Sequence, residues 1–114
     1  MKIQKIAGCP HVKIEARIRV ATKEELGWQD FLGVQTGSRL EFFRNGLHHD
    51  GEVVKCDKIV APGDSGTVTF RMFSAAIFDT DVTVGSVVEL KRGHTVVAVA
   101  EVLRIEKVEK PEQD

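Results

Sequence analysis

Over residues 12–20 every second residue is aliphatic: Val12, Ile14, Ala16, Ile18 and Val20, with Lys13, Glu15, Arg17 and Arg19 between them. A helix buries residues three and four apart, so a strict period of two fits only a strand with one face in a core and one in water. The same habit predicts strands over 39–44, 52–56, 67–73, 86–91 and 95–105. Asn45-Gly46 closes the second of these, and Asp50-Gly51 is expected to introduce the third. Val60-Ala61-Pro62-Gly63-Asp64 is turn chemistry, with Pro presetting one backbone angle and Gly accepting a positive φ. Arg92-Gly93-His94 is a tight turn into the longest strand, where Val96, Val97, Ala98, Val99 and Ala100 are apolar on both faces. Such a strand is covered on both sides, or its outer face meets something else. Only at Thr22–Leu26 does a helical turn suggest itself, with Thr22 as cap and Glu25 three residues on.

Several short strands separated by turns imply an all-β antiparallel barrel or sandwich, and closure removes the unpaired edges that invite aggregation. At 114 residues the chain is one domain, and folding should bury roughly 65% of the surface that the unfolded chain exposes. The barrel is expected over 11–106, with an extension over 1–10 and a charged tail containing Pro111 over 107–114. Lys+Arg 16 against Asp+Glu 17 leaves a net charge of −1. That balance disfavours a protein devoted to wrapping nucleic acid, though a local basic patch is compatible with it. No apolar run approaches the roughly 20 residues of a membrane-spanning helix, and no secretory pattern opens the chain. With Cys9 and Cys56 too few for a disulfide framework, a reducing cytoplasmic setting is the expectation.

Signatures of catalysis are missing. No phosphate-cradling GxxxxGK[ST], dinucleotide GxGxxG, HExxH or GxSxG occurs, so no nucleotide or other cofactor is expected. Gly63-Asp64-Ser65-Gly66 reads as a β-turn rather than a nucleophile elbow. His48-His49-Asp50 is the most metal-like cluster, yet it reads as a solvated turn, because zinc needs three or four converging ligands. Asp79 and Asp81 read as loop residues rather than general acids. No enzyme, no metal and no cofactor are expected.

Six landmarks, in order, resemble the third domain of elongation factor Tu. Cys9-Pro10-His11-Val12-Lys13-Ile14-Glu15 is similar to the linker end and opening strand of that family (Pro, then His-x-Lys-Phe-Glu). Thr22-Lys23-Glu24-Glu25 matches its Lys-Glu-Glu, and Phe42-Phe43-Arg44 matches an aromatic strand ending in Arg. Val60-Ala61-Pro62-Gly63-Asp64 resembles its Val-Met-Pro-Gly-Asp turn, and Thr67-Val68-Thr69-Phe70 continues like the strand after it. Gly93-His94-Thr95-Val96 resembles its Gly-Arg-Thr-Val. The resemblance spans residues 9 to about 105 and implies a free-standing, six-stranded closed antiparallel barrel. Gly27-Trp28-Gln29-Asp30 stands where the family carries Arg-His-Thr-Pro, which helps it meet the T-arm of aminoacyl-tRNA. Thr36-Gly37-Ser38-Arg39 replaces its Tyr-Arg-Pro-Gln. Side chains at Val97–Ala100 replace its last-strand glycines, which admit close backbone approach. The resemblance thus implies the scaffold without conventional tRNA carriage.

Function is therefore expected to be binding. The first expectation is a protein partner, linked to translation, met through Trp28, Phe31, Val97 and Val99, since Trp is favoured at binding hot spots. The competing assignment for Trp28 and Phe31 is that they plug the barrel end. An alternative is RNA binding through a basic exterior face of Arg17, Arg19, Lys91, Arg92, His94 and Arg104. Aromatics for base stacking are scarce, with Trp 1 and Tyr 0. A small metal-dependent enzyme, starting from His48 and His49, comes last.

Overall fold

A computed structural model describes residues 11–28, 30–73 and 82–108. Six strands, β1 (His11–Val20), β2 (Arg39–Arg44), β3 (Leu47–Cys56), β4 (Ser65–Met72), β5 (Val87–Arg92) and β6 (Thr95–Val108), form an all-antiparallel closed barrel. Their order around it is β1-β4-β3-β2-β5-β6, and β6 pairs with β1 to close the cylinder. Among the described residues no helix is long and apolar enough to cross a membrane.

The alternation of β1 becomes the barrel wall directly. All five of its aliphatic side chains are completely buried, while Lys13, Arg17 and Arg19 stand in solvent. Inside the barrel Phe70, on the neighbouring β4, meets Phe42 of β2, ring centroids 4.9 Å apart and nearly perpendicular. That edge-to-face arrangement sets the positive rim of one ring against the negative face of the other.

Three turns follow the sequence chemistry closely. Asn45 and Gly46 both take positive φ, 54° and 78°, as a two-residue hairpin twisted to match its strands requires. At Pro62-Gly63 the Asp64 N–H donates to the Ala61 carbonyl at 2.9 Å, with Gly63 at φ 87°. This turn also clamps the end of β1, because the Val20 N–H donates to the Asp64 carbonyl at 2.9 Å. At Thr22 a reciprocal cap forms: the Thr22 N–H donates to the Glu25 carboxylate at 2.9 Å, and the Glu25 N–H donates to the Thr22 hydroxyl at 3.0 Å.

Elsewhere the architecture corrects the sequence reading. Asp50-Gly51 is no turn; β3 begins at Leu47, and Gly51 lies in the barrel wall, where an added Cβ would stand 2.8 Å from the Met72 sulfur. His48-His49-Asp50 is likewise strand, so its two imidazoles leave opposite faces of β3. Strand β6 runs past the boundary expected at 106, since Lys107 pairs with Val12 and Val108 with His11. The doubly apolar start of β6 has an internal cause. Leu90 faces Ala98 and Lys91 faces Val96, which leaves Val97 as the extra residue of a β-bulge. The bulge turns Val97 and Ala98 both inward, at 2% and 1% exposure. No external partner is needed to cover them. The expected extension over 1–10, the tail beyond 108, Cys9, Asp79 and Asp81 lie outside the described residues.

Candidate functional site

Two long connections, 21–38 and 57–64, leave the same end of the barrel as the β5–β6 turn. They are stitched together by an isolated bridge in which Val34 and Val60 exchange N–H···O bonds of 3.0 and 2.9 Å. Gly33 makes the stitch possible. Its φ is 119°, and a Cβ there would lie 2.5 Å from the Val60 carbonyl oxygen. Cys56 adds a weaker tie to the first connection, its thiol donating to the Val34 carbonyl at 3.8 Å.

The first connection opens with the capped turn and ends it abruptly. Trp28 N–H donates to the Lys23 carbonyl and Gly27 N–H to the Glu24 carbonyl, at 2.9 and 3.0 Å, the paired bonds of a Schellman stop. Gly27 supplies the left-handed residue at φ 66°, and Trp28 follows at φ 65°. A bulky side chain in that region is uncommon and strained. The turn thereby throws Trp28 outward, 72% exposed, while Leu26 two residues earlier is buried. Leu32 is 78% exposed on the same connection, and Ile59 is 51% exposed beside Gly33 on the other. Three large apolar side chains thus stand in water at this end, while Leu47, Phe73, Val84 and Val87 are exposed elsewhere on the barrel.

Phe31 does the opposite and folds inward as part of the core. It separates two shallow depressions. One, of about 410 Å³, is lined by Asp30, Phe31, Leu32, Leu40, Arg39 and Arg92 together with Gly33, Gln35 and Ser38. The other, of about 270 Å³, lies between Leu26, Phe31, Thr95 and Val97 and shares Asp30 and Arg92 with the first. The Arg92 guanidinium lies over the Phe31 ring at 5.4 Å and donates to the Asp30 carbonyl at 3.4 Å. Arg39 lies over the Phe73 ring at 4.7 Å. Among the described residues neither guanidinium is paired with a carboxylate.

Of the four residues expected at a protein interface, Trp28 is presented to solvent, Phe31 takes the competing role of barrel-end plug, and Val97 is corrected to the core. Val99 is half-buried on the barrel side, between Arg19 and Glu89 on the neighbouring strands. Leu32, Ile59 and Arg39 were not foreseen as site residues. Leu32 and Ile59 showed themselves only as apolar residues near Gly33 and the Pro62-Gly63 turn.

The basic residues expected to form one face lie on the neighbouring strands β1, β5 and β6 and in the turn between the last two, interleaved with acids. Arg17 faces Glu101 across the β1–β6 pair, and Arg104 faces Glu15. Arg19 reaches Glu25 at 3.7 Å. Lys91 packs its ammonium over the Phe43 ring at 4.3 Å and faces Glu41 across the β2–β5 pair. His94 sits exposed in the turn after Arg92. Acids facing Arg17, Arg19, Lys91 and Arg104 therefore interrupt the positive charge of this side of the barrel. His48 reaches Glu41 at 3.2 Å on the exterior, and among the described residues no three His, Cys, Asp or Glu side chains converge as metal ligands.

Glu25 has a shifted pKa. The Thr22 backbone N–H bonding its carboxylate holds it below the ordinary value of 4.5, with the Arg19 guanidinium assisting and partial desolvation opposing. Both groups belong to the cap that aims Trp28, so the electrostatics here are positional rather than chemical.

Neither the family models nor the characterised proteins compared with this chain gave a match.

Proposed function

We propose that this barrel is a non-catalytic binding module that meets a protein partner with its loop end. The observation that carries this reading is the outward set of Trp28, Leu32 and Ile59, held there by the Schellman stop and the Gly33 stitch. Isolated apolar residues on a surface are ordinary, but a Trp held at a strained φ by hydrogen bonds, at the barrel end that also exposes Leu32 and Ile59, suits a binding anchor. Burying these three would remove enough apolar surface from water to anchor an interface. The resemblance to the elongation factor Tu third domain supports a partner from the translation apparatus. Against RNA stands the interleaving of Arg17, Arg104 and Arg19 with Glu101, Glu15 and Glu25. The setting we propose is cytoplasmic.

The test is affinity capture from nuclease-treated lysate, comparing the native chain with a Trp28→Ala/Leu32→Ser variant of unchanged circular dichroism. Both substitutions are on solvated side chains, so the variant should fold. A protein retained by the native chain and lost from the variant is the expected result. Equal retention by both, or retention abolished by nuclease alone, overturns the proposal.

A further inference from the structure

The β2–β3 hairpin turns on Asn45-Gly46, at the opposite end of the barrel from the β5–β6 turn. Asn45 is the only asparagine in the chain, and both turn residues are exposed. Among the described residues no hydrogen bond engages the Gly46 N–H or the Asn45 carboxamide. The space around Gly46 is open, since a Cβ there would meet nothing within 4 Å. A solvated backbone N–H that follows an asparagine, on a residue with no side chain to obstruct it, can approach the carboxamide carbon and close a ring. Asp50-Gly51 is the contrast within the same hairpin. Gly51 is buried in the wall and pairs with Leu40 on one side and Met72 on the other, and a Cβ there would stand 2.8 Å from the Met72 sulfur. Its nitrogen has no path to the Asp50 carboxyl carbon without parting the sheet.

We propose that Asn45-Gly46 is a site of spontaneous modification, at which the chain converts its own asparagine into aspartate and isoaspartate. The Gly46 N–H gives its proton to hydroxide, and the nitrogen forms a bond to Asn45 Cγ. The Cγ–Nδ2 bond breaks, and the carboxamide nitrogen takes a proton from water and leaves as ammonia. The remaining succinimide adds one water: opening at Cγ gives aspartate, and opening at the main-chain carbonyl gives isoaspartate. A carboxamide and water become a carboxylic acid and ammonia, with no oxidant or reductant. The two products differ in consequence. Aspartate keeps the backbone and suits the turn, because Asp-Gly serves a two-residue hairpin as Asn-Gly does. Isoaspartate routes the chain through the side-chain methylene and so lengthens the turn that closes on the Arg44–Leu47 pair. Arg44 is also the residue whose guanidinium donates to the Val87 carbonyl at 2.9 Å, tying β2 to the start of β5. Those strands pair over Glu41–Phe43 and Glu89–Lys91, the shortest ladder of the barrel, so the isoaspartyl form loosens the cylinder at this seam.

The test incubates the full native chain at neutral pH and maps its peptides by mass spectrometry, beside the same chain unfolded in urea and beside Asn45→Gln, whose longer side chain closes the ring far more slowly. The expected result is a mass gain confined to the peptide bearing Asn45, present in native and unfolded samples and absent from Asn45→Gln. Fragmentation of that peptide should resolve aspartate and isoaspartate at position 45. The isolated isoaspartyl protein should exchange its Leu47 amide about tenfold faster or more, while Asn45→Asp exchanges it at the native rate. An amide that persists in the native chain while the unfolded chain loses it overturns the proposal, because the folded turn then forbids ring closure. Mass gain at a glutamine, isoaspartate forming at Asp50-Gly51 as fast as at Asn45, or native Leu47 exchange in the isoaspartyl protein overturns it as well.

Discussion

Gly33→Ala tests whether the loop end is truly stitched to the barrel. The new methyl would sit 2.5 Å from the Val60 carbonyl oxygen and 3.1 Å from the Ala61 Cα, both backbone and unable to rotate away. Forcing an L-residue to φ 119° costs about 1–3 kcal/mol. Overpacking against fixed atoms adds about 1–3 kcal/mol. The lower entropy of the unfolded Ala chain returns about 0.4–1 kcal/mol. The net loss is about 3 kcal/mol. Gly37→Ala is the matched control on the same connection, with φ 95° and open space around its Cβ, and it should lose about 1 kcal/mol. Equilibrium urea unfolding followed by circular dichroism measures both. With a slope of about 1.5 kcal/mol per molar urea, the two midpoints should differ by about 1.3 M. Equal midpoints would mean that the connection rests loosely on the barrel, and the account of how Leu32 and Ile59 are presented would fall with it.

Two further outcomes follow from the core and the cap. Phe70→Ala removes a fully buried ring in edge contact with Phe42, and should cost about 3–5 kcal/mol. At roughly 4 °C per kcal/mol that lowers Tm by about 12–20 °C, and a loss under 1 kcal/mol would show that the centre repacks freely. Carboxyl-detected NMR should find Glu25 titrating below 4.5, held there chiefly by the Thr22 backbone N–H. Because the folded value is depressed, the contribution of this group to the cap is present above the ordinary carboxyl pKa and is lost as pH falls through the folded value. An unshifted Glu25 would deny the reciprocal cap.

The cylinder itself was legible because its determinants are local. Period-two alternation, Asn45-Gly46 and Pro62-Gly63 each specify a conformation within a few residues, and Thr22 with Glu25 specifies the cap. Asp50-Gly51 misled because the same dipeptide that favours a turn is also what a crowded wall needs when Met72 and Phe42 press from inside. Val97 misled because a bulge depends on the register with β5, which no single segment encodes. The candidate site was half legible for the same reason. Trp28 announces itself by residue type, but whether Phe31 or Leu32 points inward depends on how two distant connections meet at Val34 and Val60. Strand order sets the basic residues on the neighbours β5, β6 and β1, but the acids opposite them come from register, which pairs Arg17 with Glu101 and Arg104 with Glu15.

Trp28 is the only tryptophan in the chain, so one fluorine nucleus can report on the central claim. Fluorotryptophan-labelled protein should give a single resonance with a full solvent isotope shift when free. Addition of the purified protein captured from lysate should move that resonance and suppress its solvent sensitivity as the indole leaves water. A captured protein that binds while the resonance keeps both its position and its solvent sensitivity would contradict the assignment of the loop end as the working surface of this barrel.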